Sequence, residues 1–421
     1  MKELFEEVFP DSNMPWNINR ATVLSTIIEK GPISRVDIAR LSGLDQSTVS
    51  RIMTKLIESG IVLEENKGKS ALGRKPINVR LNARSRVVGV IVVNPWQTDI
   101  AVIDLNGNLI KTKRLSTIVE DPQNFLAACS SALLVMLEAI AIPLAGVTVT
   151  LPGWVDQLKG VLIESPYLGW KNIEVAGIVS KKIQSKIFVE NDQRSSALAQ
   201  VCFSPEAVGL KSFFLMQVDV GVWGALACHN TVYHGAQGRD CQIGSLLVPL
   251  AEERQSSGCP EVGELEALAS EQAIVKRYCE LSGKPMQENV NFQIRGIICE
   301  ASKGDKAAVQ AITEASYYLG EAMPEIDRMF DAERIIIAGK LTRVWDIMLP
   351  AMLKGSKQNV LYRKHQLEKR IIPSSLVWPP YEGAAAIVIK DFLGGFQVVH
   401  RQPTVTDWQM QIWEDWEKYA S

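Results

Sequence analysis

The chain has 421 residues, 47% of them hydrophobic and 22% charged, with a formal net charge of −2. That length is enough for two or three domains, and the composition is that of an ordinary globular protein. Near-neutrality excludes a global polycation that would coat nucleic acid or membrane. No continuous run of about 18 apolar residues marks a transmembrane span, and the acidic, interrupted start MKELFEEVFPDSNMPW does not read as a secretory signal. Seven cysteines (Cys129, Cys202, Cys228, Cys241, Cys259, Cys279, Cys299) are scattered singly, with no CxxC. They read as mostly buried thiols of a protein in a reducing cytoplasm.

The charge is unevenly spread. Residues 17–84 hold twelve Lys+Arg against six Asp+Glu, a local charge of +6, which leaves −8 on the rest of the chain. A small basic module on a larger acidic body suggests that one part meets an anion.

Residues 17–30 predict a helix with Ile18, Val23, Leu24, Ile27 and Ile28 on one side, stopped by Gly31-Pro32. Ser34 caps a second helix, with Asp37 at the capping-box position and Val36, Ile38, Ala39 and Leu41 on the inner face. Ser42-Gly43-Leu44 is a short turn. Asp45 or Ser47 caps a third helix over 46–59, in which Val49, Ile52, Met53, Leu56 and Ile57 recur at helical spacing. Two short strands, 61–65 and 77–81, flank the segment NKGKSALGRKP. Three short helices, a tight turn and a hairpin predict a winged helix-turn-helix whose third helix enters the major groove with its N-terminal end leading. Gln46, Ser47, Thr48, Ser50 and Arg51 face outward there, with groups that reach base edges or phosphates. The wing tip carries Lys67, Lys69, Arg74 and Lys75. An extended Arg in Gly73-Arg74-Lys75-Pro76 suits a narrow minor groove. The competing reading is a helical protein-interaction module with a solvated charged loop; turn, wing and local charge together favour DNA.

Beyond residue 84 the pattern changes. Val87-Val88-Gly89-Val90-Ile91-Val92-Val93 is an apolar run, 99–104 alternates, and Asn106-Gly107-Asn108 turns a hairpin. A helix follows near 122–141, then a strand over 146–151, a strand over 187–189 and a helix over 195–201. A second block has the same alternation, with strands 213–218 and 221–228, helices 264–280 and 306–329, and strand 334–337. Strands alternating with helices predict α/β layers, and two comparable blocks predict two lobes with a ligand cleft between them. The expected domains are 1–84 for the DNA-binding head, 85–200 for lobe 1 (completed by 375–398), 201–374 for lobe 2 and 399–421 for a tail.

The run LPGWVDQLKGVLIESPYLGWKNIEV, followed by FVENDQRSSALAQ, closely resembles the ROK family (repressors, open reading frames and sugar kinases). The GRKP wing before this body resembles its transcriptional-regulator branch, of the N-acetylglucosamine and xylose repressor type. The likeness runs from about residue 17 to residue 393. It implies a two-lobed actin-like, ribonuclease-H-like ATPase fold, used by the family's kinases to phosphorylate sugars and by its repressors to sense a sugar or bind a protein partner.

Against the family pattern, the nucleotide elements are altered. The form D-x-G-x-T after the first strand is here Ile91-Val92-Val93-Asn94-Pro95, and an isoleucine cannot hold Mg²⁺. The second phosphate turn, G-T-G-x-G, is Asp219-Val220-Gly221-Val222-Trp223. The adenosine-side glycines are Ala338-Gly339-Lys340. The resemblance therefore implies no kinase activity and no cofactor. On the sugar side, Gly153 stands in the expected loop, Asp192 aligns with the family's catalytic base, Asn191 with a sugar-binding amide and Glu266 with a sugar-binding glutamate. In the motif G-E-I-G-H, Gln242 replaces the glutamate and Ser245 the histidine. Asp192 is also readable as a helix N-cap alone, and Glu266 as a solvated acid. At the family's zinc positions stand Ser245, Ser257, Cys259 and Glu264, too few ligands for a tetrahedral site, so no metal is expected. The last residues, 406–421, put Trp408, Ile412, Trp413, Trp416 and Tyr419 on one helical stripe, which reads as packing against the same chain or a dimer mate rather than as a free docking site.

Three functions follow. The first is a cytoplasmic transcription regulator, a repressor of carbohydrate genes. It binds a palindromic double-stranded operator as a homodimer or dimer of dimers, has no membrane partner, and responds to a sugar or sugar phosphate by cleft closure. The second is a sugar kinase with a DNA-binding head. The third is a regulator with a vestigial cleft, controlled by a protein partner.

Overall fold

The computed structural model describes residues 14–65, 77–235, 238, 241–249, 262–287, 290–357, 367–376 and 379–393. Within them the chain separates into two compact units, the first formed by the described residues up to Phe203 with 379–393, the second by those from Ser204 to 376.

Unit 1 opens with helix α1 (Met14–Lys30), strand β1 (Ile33–Ser34), α2 (Arg35–Ser42), α3 (Gln46–Glu58), β2 (Val62–Glu65) and β3 (Asn78–Leu81). Strand β3 lies between the other two, with Val79 opposite Ile33 and Glu64. The Ser34 hydroxyl accepts from the Asp37 backbone N–H at 3.1 Å, and Gly43 ends α2 in the left-handed region. Val49, Ile52, Met53 and Leu56 form the fully buried face of α3. Two expectations fail locally. Val36 and Leu41, expected on the inner face of α2, are 58% and 52% exposed, and Ile18 of α1 is also exposed. The inner face of an eight-residue helix is narrow, and Ile38 with Ala39 fills it.

The rest of unit 1 comprises β4 (Val87–Val93), β5 (Gln97–Asp104), β6 (Leu109–Ser116), α4 (Pro122–Ile140), β7 (Leu144–Leu151), β8 (Trp154–Asp156), β9 (Val161–Ser165), β10 (Trp170–Ile173), α5 (Val175–Ser180), β11 (Ile187–Asn191) and α6 (Asp192–Phe203), with the late helix α12 (Pro379–Phe392) returning to it; β8 to β10 form a small sheet of their own and the other five strands the main sheet. The sheet order is β11-β7-β4-β5-β6: an antiparallel meander of three strands, then two strands added parallel to the first. Strand β4 is buried along its whole length, because α4 covers one face of the sheet and α12 the other. Leu133 of α4 lies over Gly89, Val388 of α12 lies over Gly146, and the Thr148 hydroxyl donates to the Ala384 carbonyl at 2.8 Å. Helix α4 is the one described helix long and apolar enough to cross a membrane by length and composition, although Gln123, Asn124, Ser130, Ser131 and Glu138 keep it from being a continuous apolar run. Its row Leu126, Cys129, Leu133 and Met136 belongs to the buried core of unit 1, the place of a core helix.

Unit 2 repeats this plan. Its elements are β12 (Ser212–Val218), β13 (Val222–Cys228), β14 (Thr231–Val232), β15 (Leu247–Pro249), β16 (Val262–Glu264), α7 (Leu265–Ala269), α8 (Glu271–Ser282), α9 (Val290–Ser302), α10 (Lys306–Phe330), β17 (Arg334–Ala338), α11 (Trp345–Ser356) and β18 (Ile371–Pro373). The sheet order β14-β13-β12-β17-β18 is again a meander of three followed by two parallel strands. Helices α8 to α11 cover it, with Ile294, Ile312, Leu319 and Met348 in the core. Both units thus carry the ribonuclease-H-like sheet that the actin-like fold duplicates. The helix expected over 264–280 is two helices, α7 and α8, because Ser270 turns into extended geometry and its side chain caps α8.

Candidate functional site

The head is built to present the first turn of α3. Asp45 in extended geometry accepts from the Thr48 N–H at 2.7 Å, and takes the hydroxyl protons of Ser47 at 2.5 Å and Thr48 at 2.7 Å. These bonds, with the helix N-terminus, hold its carboxyl well below the usual carboxylate range. Asp45, not Ser47, is therefore the cap. Gln46, Ser47, Ser50 and Arg51 are exposed and Thr48 is half-buried. The Ser47 and Thr48 hydroxyls keep oxygen lone pairs for an incoming donor but give their protons to Asp45. Elsewhere in the head, Arg35 pairs with Glu64, Arg40 with Asp37 and Arg80 with Glu65. Lys67, Lys69, Arg74 and Lys75 of the wing tip lie outside the described residues.

In unit 1 the parallel strands β7 and β11 end side by side, Asn191 opposite Leu151. Ligands of open α/β sheets bind beyond such carboxyl ends. Asn191 is committed to structure: its Nδ2 donates to the Gly153 carbonyl at 2.7 Å, and its Oδ1 accepts from the N–H groups of Gln193 and Arg194 at 2.9 and 3.2 Å. It is the N-cap of α6, so the cap role considered for Asp192 falls to its neighbour. Asp192 stands half-buried in the first turn, its Oδ1 3.0 Å from the Gln193 nitrogen. Gly153 sits at φ +121°, where a Cβ would lie 2.4 Å from the Glu164 carbonyl oxygen; only glycine fits. Glu190, which sequence reasoning does not single out, anchors this corner. Its Oε1 accepts from the Asn191 N–H at 2.7 Å and from Arg194 Nε at 2.9 Å, and its Oε2 from the Gln157 amide. Glu190 lies in strand β11 and Arg194 in α6, so no helical spacing signals the pair.

In unit 2 the 3₁₀ turn Ile243–Ser245 packs on α7. Glu266 is half-buried and its Oε2 accepts from the Val222 N–H at 3.0 Å, so it is no freely solvated acid. A Cβ on Gly244 would lie 3.0 Å from that oxygen, and the flanking Gln242 and Ser245 are both exposed. Gly153 and Asn191, with Asp192 next in the chain, thus meet at one corner of unit 1, and Glu266 lies against the turn that carries Gln242 and Ser245 in unit 2.

The nucleotide elements do not fit a nucleotide. Ile91 and Val93, at the family's aspartate and glycine positions, are fully buried in β4 within the core of unit 1. The β4–β5 hairpin closes on itself, the Asn94 N–H donating to the Gln97 carbonyl at 3.0 Å, and Pro95 offers no N–H. Beside it, buried Asp99 takes Arg114 Nε at 2.7 Å. Burial and this carboxylate push the Tyr381 phenol well above its usual value. In unit 2, the Lys340 ammonium lies 2.8 Å from Asp219 Oδ1 and 2.8 and 2.9 Å from the two oxygens of Glu271. Burial pushes Glu271 up to about 8. Burial opposes both Asp219 and Lys340 ionising, but their attraction outweighs it, lowering the acid and raising the amine. At the family's zinc positions, Ser245 and Glu264 are exposed; no group of three potential ligands occurs among the described residues, and Ser257 and Cys259 lie outside them. The aromatic tail stripe Trp408 to Tyr419 also lies outside.

Comparison with known proteins agrees with this geometry. A winged helix-turn-helix DNA-binding model matches residues 17–62. The DNA-binding transcriptional dual regulator NagC of Escherichia coli (strain K12) is 26% identical over 398 residues, spanning 91% of this chain and 95% of that protein. The xylose repressor of Caldicellulosiruptor bescii is 26% identical over 390 residues, spanning 89% and 96%. The crystal structure of a ROK family transcriptional regulator, a homolog of the E. coli MLC protein, superposes with a TM-score of 0.75 at 23% identity, covering 90% of this chain and 97% of that one. The ROK family model itself matches residues 96–391, and the chain is a member of the ROK family with a winged helix-turn-helix at its N-terminal end.

Proposed function

We propose that this chain is a cytoplasmic DNA-binding transcription regulator, a repressor of sugar-metabolism genes, that responds to a sugar or sugar phosphate without phosphorylating it. The observation that carries the reading is the pairing of a capped, outward-facing recognition helix with phosphate turns closed by the chain's own groups. Gln46, Ser47, Thr48, Ser50 and Arg51 read the major groove. Lys69, Arg74 and Lys75 of the wing contact phosphate or the minor groove. The chain works as a homodimer or dimer of dimers, since a palindromic operator mirrors a two-fold axis. For the effector, Asp192 accepts a sugar hydroxyl while Asn191 and Gly153 hold it in place; in unit 2, Gln242, Ser245 and Glu266 form the second polar group. A gel-shift titration over the promoter region of the adjacent genes, with and without a panel of sugars and sugar phosphates, tests this. Loss of a shifted band with one sugar supports the reading, and no band at low salt overturns it.

A second reading has one specific observation in its favour. Gln242 and Ser245 replace a carboxylate and an imidazole, which weakens sugar recognition and favours control by a protein partner. Calorimetry with the same panel separates the two. A coupled ADP assay over hexoses tests the kinase alternative, which the burial of Ile91 and Val93 disfavours.

A further inference from the structure

Three segments of unit 2, far apart in sequence, meet at one ammonium. The first is the β12–β13 turn at Asp219, the second the start of α8 at Glu271, the third the loop after β17 at Lys340. Lys340 has three N–H donors and three acceptor oxygens within 2.9 Å, so its donor capacity is filled. The backbone reinforces the knot. The Glu271 N–H donates to the Asp219 carbonyl at 2.8 Å, the Val220 N–H to Asp219 Oδ1 at 3.1 Å, and the Asp219 N–H to the Gly221 carbonyl at 2.9 Å. Gly339, at φ +121°, lets the loop pass so close to Val218 that a Cβ would lie 2.0 Å from its carbonyl oxygen. Glu271 has no exposed side-chain surface and Lys340 keeps 14%.

We propose that Lys340, Asp219 and Glu271 form an internal counter-ion lock that replaces bound nucleotide, so that unit 2 reaches its ordered arrangement with no nucleotide present. Asp219 and Lys340 stand at the second phosphate turn and the adenosine-side loop by the motif alignment. An incoming phosphate would face the Asp219 carboxylate, the Glu271 carboxyl and an ammonium whose three donors are already taken. The lock supplies from within the chain a cation and its ligands, and makes the arrangement independent of cellular nucleotide levels. This goes beyond the regulator reading and does not depend on it.

Thermal unfolding of the full chain is the test, for wild type and for Lys340→Met, Lys340→Arg and the triple variant Lys340→Met/Asp219→Asn/Glu271→Gln. Wild type is measured with and without saturating Mg–ATP and Mg–ADP. The lock predicts no nucleotide-dependent shift in wild type. It predicts a melting temperature lowered by at least about 6 °C in Lys340→Met, because the Asp219 carboxylate and the buried Glu271 carboxyl lose the ammonium they share. The triple variant, which removes the carboxylate charges as well, recovers at least half of that loss. A rise in wild-type melting temperature with Mg–nucleotide overturns the proposal, as ligand bound only to the native state must stabilise it. A Lys340→Met protein melting within about 2 °C of wild type overturns it too. Should Lys340→Met fail to fold, the triple variant and the wild-type nucleotide shift still decide. A chain that binds operator DNA and is also stabilised by Mg–ATP would sink the lock and leave the regulator reading standing.

Discussion

Asn191 and Gly153 hold each other: the amide donates to the carbonyl at 2.7 Å, across a glycine whose backbone no other residue can adopt without collision. The same side chain caps α6. Asn191→Ala therefore removes a cap and a buried hydrogen bond together, a loss of roughly 2 kcal/mol. Asn191→Asp keeps the cap acceptor but sets a carboxylate against the carbonyl, and is expected to destabilise as well. Gly153→Ala is expected to cost more than either, through the forbidden φ and the 2.4 Å approach to Glu164. Urea denaturation midpoints at constant m-value check all three.

The head makes a sharper demand on DNA. Arg51→Ala is expected to weaken operator binding and to flatten the salt dependence of log Kd if the guanidinium meets phosphate. Gln46→Ala is expected to lose on the order of tenfold in affinity and to relax base preference at one operator position. Fluorescence anisotropy against operator and scrambled duplex, across a salt series, separates a positioning contact from a reading contact.

Asp192 is the candidate effector carboxylate not consumed as the helix cap. Asp192→Asn is expected to leave operator affinity within about twofold and to abolish the response to the inducing sugar, by the loss of one charged hydrogen bond. A normal sugar response in Asp192→Asn gel shifts would remove this residue from the site.

Glu382 of α12 is buried, and its Oε2 has no hydrogen-bond partner among the described residues. Burial pushes it up to about 8. The sign follows from linkage: between the unfolded value near 4.5 and the folded value near 8, the native state keeps a proton that the unfolded chain has released. Its contribution is complete below the lower value and is lost as pH rises through the upper one. Glu382→Gln should therefore match wild type at about pH 4.5 and exceed it by a few kcal/mol above about pH 8. Chemical denaturation at both ends of that window is the measurement.

Much of the head is legible in the sequence because its signals are local. The Ser34 cap, Gly43 in the left-handed region, and the row Val49, Ile52, Met53, Leu56 are each decided within one or two turns of helix. Where expectation and structure part, tertiary contacts decide. Val36 and Leu41 have core chemistry but lie on the outer side of a short helix. The hydroxyls of Ser47 and Thr48, expected at DNA, are also engaged by Asp45. Strands β1, β8 to β10, β14 to β16 and β18 and helices α5, α9, α11 and α12 have no counterpart among the expected elements, and the sheet orders carry no local signature. In the candidate site, residue types are readable but commitments are not. Nothing in Glu-Asn-Asp says that the middle residue caps the helix while the first binds Arg194. Lys340 finds Asp219 across 121 residues of chain, a pairing that folding alone reveals.

Helix α12 comes from the far end of the sequence, yet it covers one face of the first sheet, with Ala384 bonded to Thr148 across 236 residues. During synthesis the winged head and the meander β4 to β6 leave the ribosome early, and the open face of that sheet must wait for almost the whole message to be read. A chain that stops between Asn191 and Pro379 would thus keep a whole head but leave its first sheet bare on one side, open to proteolysis.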